Sequence, residues 1–108
     1  MSDKTISLAE LAEKHKDLKQ GEVILDVRNP DEYEEMHIPG ALNLPLGTLE
    51  ETYEQLKSYD AVYIHCKMGG RARKAYDLLS DLGLQNLHCL QEAGIVAWDD
   101  AGHPCNKK

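Results

Sequence analysis

Cys66 stands where an apolar run ends and a basic, glycine-containing stretch begins: His65-Cys66-Lys67-Met68-Gly69-Gly70-Arg71-Ala72-Arg73-Lys74. The run before it, Ala61 to His65 (AVYIH), reads as a buried strand, and the residues from Ala72 onward carry the apolar spacing of a helix. A thiol at the carboxyl end of a strand, just before a helix N-terminus, lies where open α/β sheets bind ligands. Gly69 and Gly70 let the backbone curl so that successive N–H groups face inward as a nest for an anion. The helix that follows adds its dipole and the unpaired amides of its first turn. Such a setting favours thiolate over thiol, and the thiolate is the nucleophile. Cys66 is therefore the candidate catalytic residue, and the loop from Cys66 to Arg71 the candidate anion cradle.

The charges on the helix agree. Cations at a helix start and anions at its end each cost on the order of 0.3–1 kcal/mol. Here Arg71, Arg73 and Lys74 crowd the beginning, Asp77 and Asp81 lie toward the end, and Lys67 adds one more cation. A bound anion, or the thiolate itself, accounts for the basic half. The plainer alternative is a solvated face relieved by an Arg73–Asp77 pair at i,i+4 around a small buried cysteine.

The elements that must hold this loop alternate between short apolar runs and helical periods, the pattern of an α/β domain with a largely parallel sheet. Thr5-Ile6 reads as a short first strand. Ser7 and Glu10 form a capping box opening a helix whose Leu8, Leu11 and Ala12 share a face. Val23 to Val27 (VILDV) is apolar enough for a strand covered on both sides. Asn29-Pro30 starts a short helix through Tyr33, His37 to Gly40 is a turn, and Ala41 to Leu44 an edge strand. Thr48 and Glu51 repeat the capping-box signal, predicting a helix to about Lys57. After the helix from Ala72, stopped at Gly83, come a last strand over Leu87 to Leu90 and a last helix over Ile95 to Asp99. The expectation is one domain over residues 1–108: about five short, mostly parallel strands with helices on both faces.

Composition narrows the function classes. The 108 residues suit one compact domain. A net charge of −7 offers no attraction to nucleic acid or an anionic membrane. Phe is absent, so aliphatic side chains, Tyr and Trp98 must fill the core. Met1-Ser2-Asp3-Lys4 does not open an apolar leader, and no run reaches the ~18 residues of a membrane span. A cytoplasmic location is the expectation. Three cysteines without a CxxC pair do not make a disulfide framework, and no metal or organic cofactor is expected.

Cys66-Lys67-Met68-Gly69-Gly70-Arg71 resembles the active-site loop of the rhodanese family, the thiosulfate-type sulfurtransferases. Asp26-Val27-Arg28, Glu32-Tyr33 and His37-Ile38-Pro39-Gly40-Ala41-Leu42-Asn43 resemble that family's N-terminal signature. Ala93-Gly94-Ile95, Trp98, Gly102 and Pro104 resemble its closing segment. The resemblance covers nearly the whole chain. It implies a cysteine at the base of a shallow pocket, with Lys67 to Arg71 binding substrate. It also implies a two-step transfer of sulfur from thiosulfate or another anionic donor, through a Cys66 persulfide, to cyanide, a small thiol or a protein thiol. A sulfur-relay module serving a protein thiol is the alternative, and a cysteine-dependent phosphatase or arsenate reductase a more distant one. The phosphatase pattern HCx5R needs five residues between Cys and Arg. Here there are four, a tighter ring suited to one sulfur atom.

Ala72, Ala93 and Met36 depart from the family pattern without touching Cys66. Asp26 and Arg28, at a strand end on the same edge as Cys66, are expected to support the site through an ion pair. His37 is expected to bond a backbone carbonyl, and His65 to point away from the nucleophile. Trp98 and Cys89 are expected in the core. Cys105, on the tail, is an incidental thiol or an acceptor of sulfur.

Overall fold

The computed structural model describes residues 4–90 and 94–108; the readings placed on Met1, Ser2, Asp3 and Ala93 lie outside them. Five parallel strands form the central sheet: β1 (Thr5–Ile6), β2 (Glu22–Asp26), β4 (Leu42–Asn43), β5 (Ala61–His65) and β6 (Leu87–Leu90), in the order β1-β6-β5-β2-β4. β4 lies on one side of β2 and β5 on the other, so the direction of winding changes at β2. A ligand crevice is expected beyond the carboxyl ends of β2 and β5.

Strand alternation divides the core in two. Val23, Leu25, Val62 and Ile64 point to one face with Cys66, while Ile24 and Tyr63 point to the other. The first face is covered by α3 (Leu49–Thr52) and α4 (Gly70–Asp81), which bring Leu49, Ala72, Ala75 and Leu79. The second is covered by α1 (Leu8–Lys16) and α5 (Ile95–Asp100), which bring Leu11, Ala12, Ile95 and Trp98. With both faces covered, the central strands are as apolar as their sequences require.

Local signals set several boundaries as expected. Ser7 Oγ accepts the Glu10 amide and Glu10 returns the bond to the Ser7 amide, closing the capping box of α1. α2 (Pro30–Glu35) begins with Pro30 in its first turn. The Trp98 indole donates to Pro104 O at 2.7 Å, and Cys89 is buried in β6.

Three expectations need correction. The helix after β5 begins at Gly70, not Ala72, because the Arg73 amide already bonds Gly69 O. The segment from Thr48 to Lys57 is not one α-helix. One α-turn (α3) lies between 3-10 turns at Leu46–Thr48 and Tyr53–Ser58. Thr48 Oγ1 bonds back to Pro45 O instead of capping forward, and Thr52 Oγ1 bonds Thr48 O, so both hydroxyls draw on carbonyls behind them. Finally, His37, expected at the start of a turn, lies in β3 (Met36–His37), which pairs antiparallel with β7 (Asn106–Lys107), so that the tail folds back on the domain. Among the described residues no helix is long and apolar enough to cross a membrane.

Candidate active site

β5 delivers Cys66 to the carboxyl edge of the sheet, and α4 starts four residues later. Gly69 turns the chain between them with φ of +117°, a conformation that a side chain would strain. Gly70 has no such φ and is simply the first helical residue. The curl expected of both glycines thus belongs to Gly69. Its amide points inward and donates to Cys66 Sγ at 3.0 Å. The amides of Gly70, Arg71 and Ala72 occupy the first turn of α4, where no intrahelical acceptor exists. The sulfur therefore sits at the positive end of a twelve-residue helix.

The outward side of the loop is held by a segment that sequence reasoning placed only in the closing motif. Ile95 N–H donates to Cys66 O at 2.9 Å, and Val96 N–H to Lys67 O at 3.4 Å. The first amides of α5 thus take the loop's carbonyls, and a carbonyl held outward leaves the amides on the opposite side of the loop. Gly94 makes this approach possible. Its φ of −161° is ordinary extended backbone, but a Cβ there would clash with the backbone oxygens of Cys66 and Lys67. Gly94→Ala is expected to cost about 1–3 kcal/mol, because backbone rather than a flexible side chain must yield. Urea denaturation measures that loss, and an unchanged midpoint would contradict the clamp.

Behind the loop lies a buried polar cluster. Arg28 Nε reaches both carboxylate oxygens of Asp26 at 3.0 and 3.1 Å, and Arg28 Nη2 reaches Oδ2 at 2.7 Å. Nη2 also donates to Met36 O at 2.6 Å, tying β2 to β3. The ion pair expected between Asp26 and Arg28 is present in these bonds. His65 is wholly buried beside them, with Nδ1 3.3 Å from Cys66 O and Nε2 3.9 Å from Asp26 Oδ2. A carbonyl only accepts, so the ring proton belongs on Nδ1. Nε2 has no hydrogen-bond partner. Burial pushes the His65 pKa down against the opposing pull of Asp26, which keeps the ring neutral. His37 Nδ1 lies 2.8 Å from Tyr33 O, the backbone role expected of it.

Arg71 is not a free cation. Its guanidinium grips Glu32 of α2 through two bonds of 2.6 and 2.9 Å, and Glu32 also accepts the Asn29 amide. The pair holds Glu32 at about pKa 2 and raises that of Arg71. Arg73 pairs with Asp77 at 3.3 Å, so local pairing accounts for part of the basic half of α4. Glu32 appeared in the sequence only as a signature residue, and nothing local pointed to Arg71. A folded pKa below the unfolded 4.5 stabilises the protein above that value. This stability is lost as pH falls through about 2. Glu32→Gln is expected to make stability less sensitive to acid between about pH 4.5 and 2, read as the change of urea midpoint with pH; a slope identical to wild type would disprove the coupling.

Lys67 and Met68 are exposed at the top of the loop, whereas Cys66 is recessed, with 1% of its surface exposed. A cysteine so nearly covered is less accessible than one at the base of the shallow pocket expected from the resemblance. Cys105 is half-buried, and burial pushes its thiol pKa up, which disfavours the thiolate. Among the described residues no group of His, Cys, Asp or Glu is arranged to hold a metal ion.

Comparison with known proteins bears on the family and the fold. The model of the rhodanese-like domain matches residues 7–101. Thiosulfate sulfurtransferase GlpE of Coxiella burnetii is 35% identical over 86 residues, covering 80% of this chain and 78% of that protein. The putative sulfur carrier protein YrkF of Bacillus subtilis is 39% identical over 64 residues, 59% of this chain. The chain spans 35% of the length of YrkF and 59% of that of other curated relatives such as the Escherichia coli thiosulfate sulfurtransferase PspE. A crystal structure of a rhodanese-related protein from Thermoplasma volcanium superposes with a TM-score of 0.83 at 31% identity, over 97% of this chain and 99% of that one.

Proposed function

The chain belongs to the rhodanese-like domain family, and from that premise we propose that it is a sulfurtransferase using Cys66 as nucleophile and sulfur carrier. The Cys66 thiolate attacks the outer sulfur of thiosulfate or a similar anionic donor. A new S–S bond forms to Cys66, the donor's S–S bond breaks, and its electron pair leaves on sulfite. A thiolate or cyanide then attacks the outer sulfur of the Cys66 persulfide and returns the electron pair to Cys66 Sγ. The amides from Lys67 to Arg71 stabilise the anionic sulfur, and Lys67 draws the donor's charge. Arg71, held by Glu32, contributes its field and fixes the start of α4. The thiols at Cys66, Cys89 and Cys105 are free, which suits a reducing cytoplasm.

The observation that carries this reading is the Gly69 amide on Cys66 Sγ at the head of α4. The four-residue spacing from Cys66 to Arg71 supports transfer of one sulfur rather than of a phosphoryl group. Relay of sulfur to a protein thiol uses the same residue, and one relative, YrkF, is named a putative sulfur carrier protein. Incubation with thiosulfate followed by intact mass measurement is expected to show one added sulfur that reduction removes. Hydrolysis of an aryl phosphate without a sulfur adduct would replace this reading by a phosphatase.

A further inference from the structure

The large apolar side chains left exposed among the described residues are Met68, at 73%, and Val96, at 36%. Both belong to segments that meet at the Cys66 loop. Met68 lies two residues beyond Cys66, and the Val96 amide bonds the carbonyl of Lys67, between Cys66 and Met68. Lys67 is exposed and has no ion-pair partner among the described residues. Below it the loop amides and the head of α4 add positive potential, on a chain whose net charge is −7. Thiosulfate, sulfite and cyanide gain nothing from an exposed thioether and a valine. A polypeptide does, since apolar contact at the centre of a patch and opposite charge at its rim are what protein surfaces offer one another. Methionine suits such contact because its unbranched chain adapts to the partner.

Resting on the sulfur-transfer reading above, we propose that the lip formed by Lys67, Met68 and Val96 docks an acidic polypeptide segment carrying the acceptor cysteine beside an apolar residue. The acceptor thiol loses its proton to solvent. Its thiolate attacks the outer sulfur of the Cys66 persulfide, the S–S bond to Cys66 breaks, and the electron pair stays on Cys66 Sγ. The acceptor leaves as a persulfide, with no net oxidation.

The test starts from protein loaded with thiosulfate and desalted. It compares sulfur transfer by mass to cyanide and to three short peptides: Cys beside Leu with Glu flanks, Cys beside Gly with Glu flanks, and Cys beside Leu with Lys flanks. The Leu–Glu peptide is expected to react roughly tenfold faster than either other peptide, the scale of one partly buried aliphatic side chain. Val96→Gln, which keeps the backbone bond to Lys67, is expected to remove the advantage of Leu over Gly. Loading by thiosulfate and transfer to cyanide stay unchanged in that variant. Equal rates for the three peptides, or preference for Lys flanks, would overturn the proposal. A wild-type dimer that Val96→Gln dissolves would overturn it too, by assigning the patch to a second copy. Failure to load sulfur at all removes the underlying function, and is seen before any peptide is added.

Discussion

Replacement of Cys66 by Ser is expected to abolish the one-sulfur adduct and to lower sulfite release by roughly three orders of magnitude or more, the scale seen when a covalent nucleophile is lost. The substitution is close to isosteric, and Cys66 belongs to the same buried cluster as Ala72, Ala75 and Ile64. The Gly69 amide can donate to a hydroxyl as it does to Sγ, so the fold is expected to stay within about 1 kcal/mol of wild type. What the serine lacks is sulfur: a hydroxyl is too weak an acid to reach its anion near neutral pH, and an oxygen in place of Sγ leaves no persulfide to form. Intact mass after thiosulfate treatment and a coupled sulfite assay measure the effect. Substantial sulfur transfer by a folded Cys66→Ser protein would move the chemistry elsewhere, with Cys105 the first place to look.

The second large effect belongs to Arg28. Asp26 and Arg28 are 0% and 3% exposed, and the carboxylate takes the Arg28 backbone amide as well as its guanidinium. Arg28→Ala leaves that carboxylate buried beside a neutral His65 and removes the donor to Met36 O. The expected loss is about 3–5 kcal/mol, the cost of breaking a buried pair from one side. For a domain of this size that lowers the melting temperature by at least about 12 °C. Arg28→Lys keeps the charge without the planar fork and is expected to lose less. Calorimetry on the two variants decides the point; a melting temperature unmoved by Arg28→Ala means that the cluster is solvated and the loops are held by something else. The site should weaken with the fold, because β2 ends beside β5 in the register Asp26 to His65.

These expectations rest on residues of differing legibility. The strands around Val23 and Ala61, the capping box at Ser7 and the apolar face of α4 were legible because each is decided within a turn or a few strand positions. The candidate nucleophile was legible for the same reason: strand end, glycine turn and helix start are consecutive. The family resemblance extended this to the whole chain. The start of α4 was misplaced by two residues, because Gly70 was counted with the turn that Gly69 makes alone. The helix expected over Thr48 to Lys57 was overruled by two hydroxyls bonding backward.

By itself, then, the sequence determined the strands of the central sheet and most of the helices around it, and that a cysteine stands at their junction, since periodicity and turn chemistry act between near neighbours. Only the tertiary structure decided that α5 takes the loop's carbonyls through Gly94, that Arg71 spends its fork on Glu32 from 39 residues away, and that the tail closes on β3. Those bonds join remote segments. Their partners are chosen by how the sheet closes, and no local pattern encodes that distance.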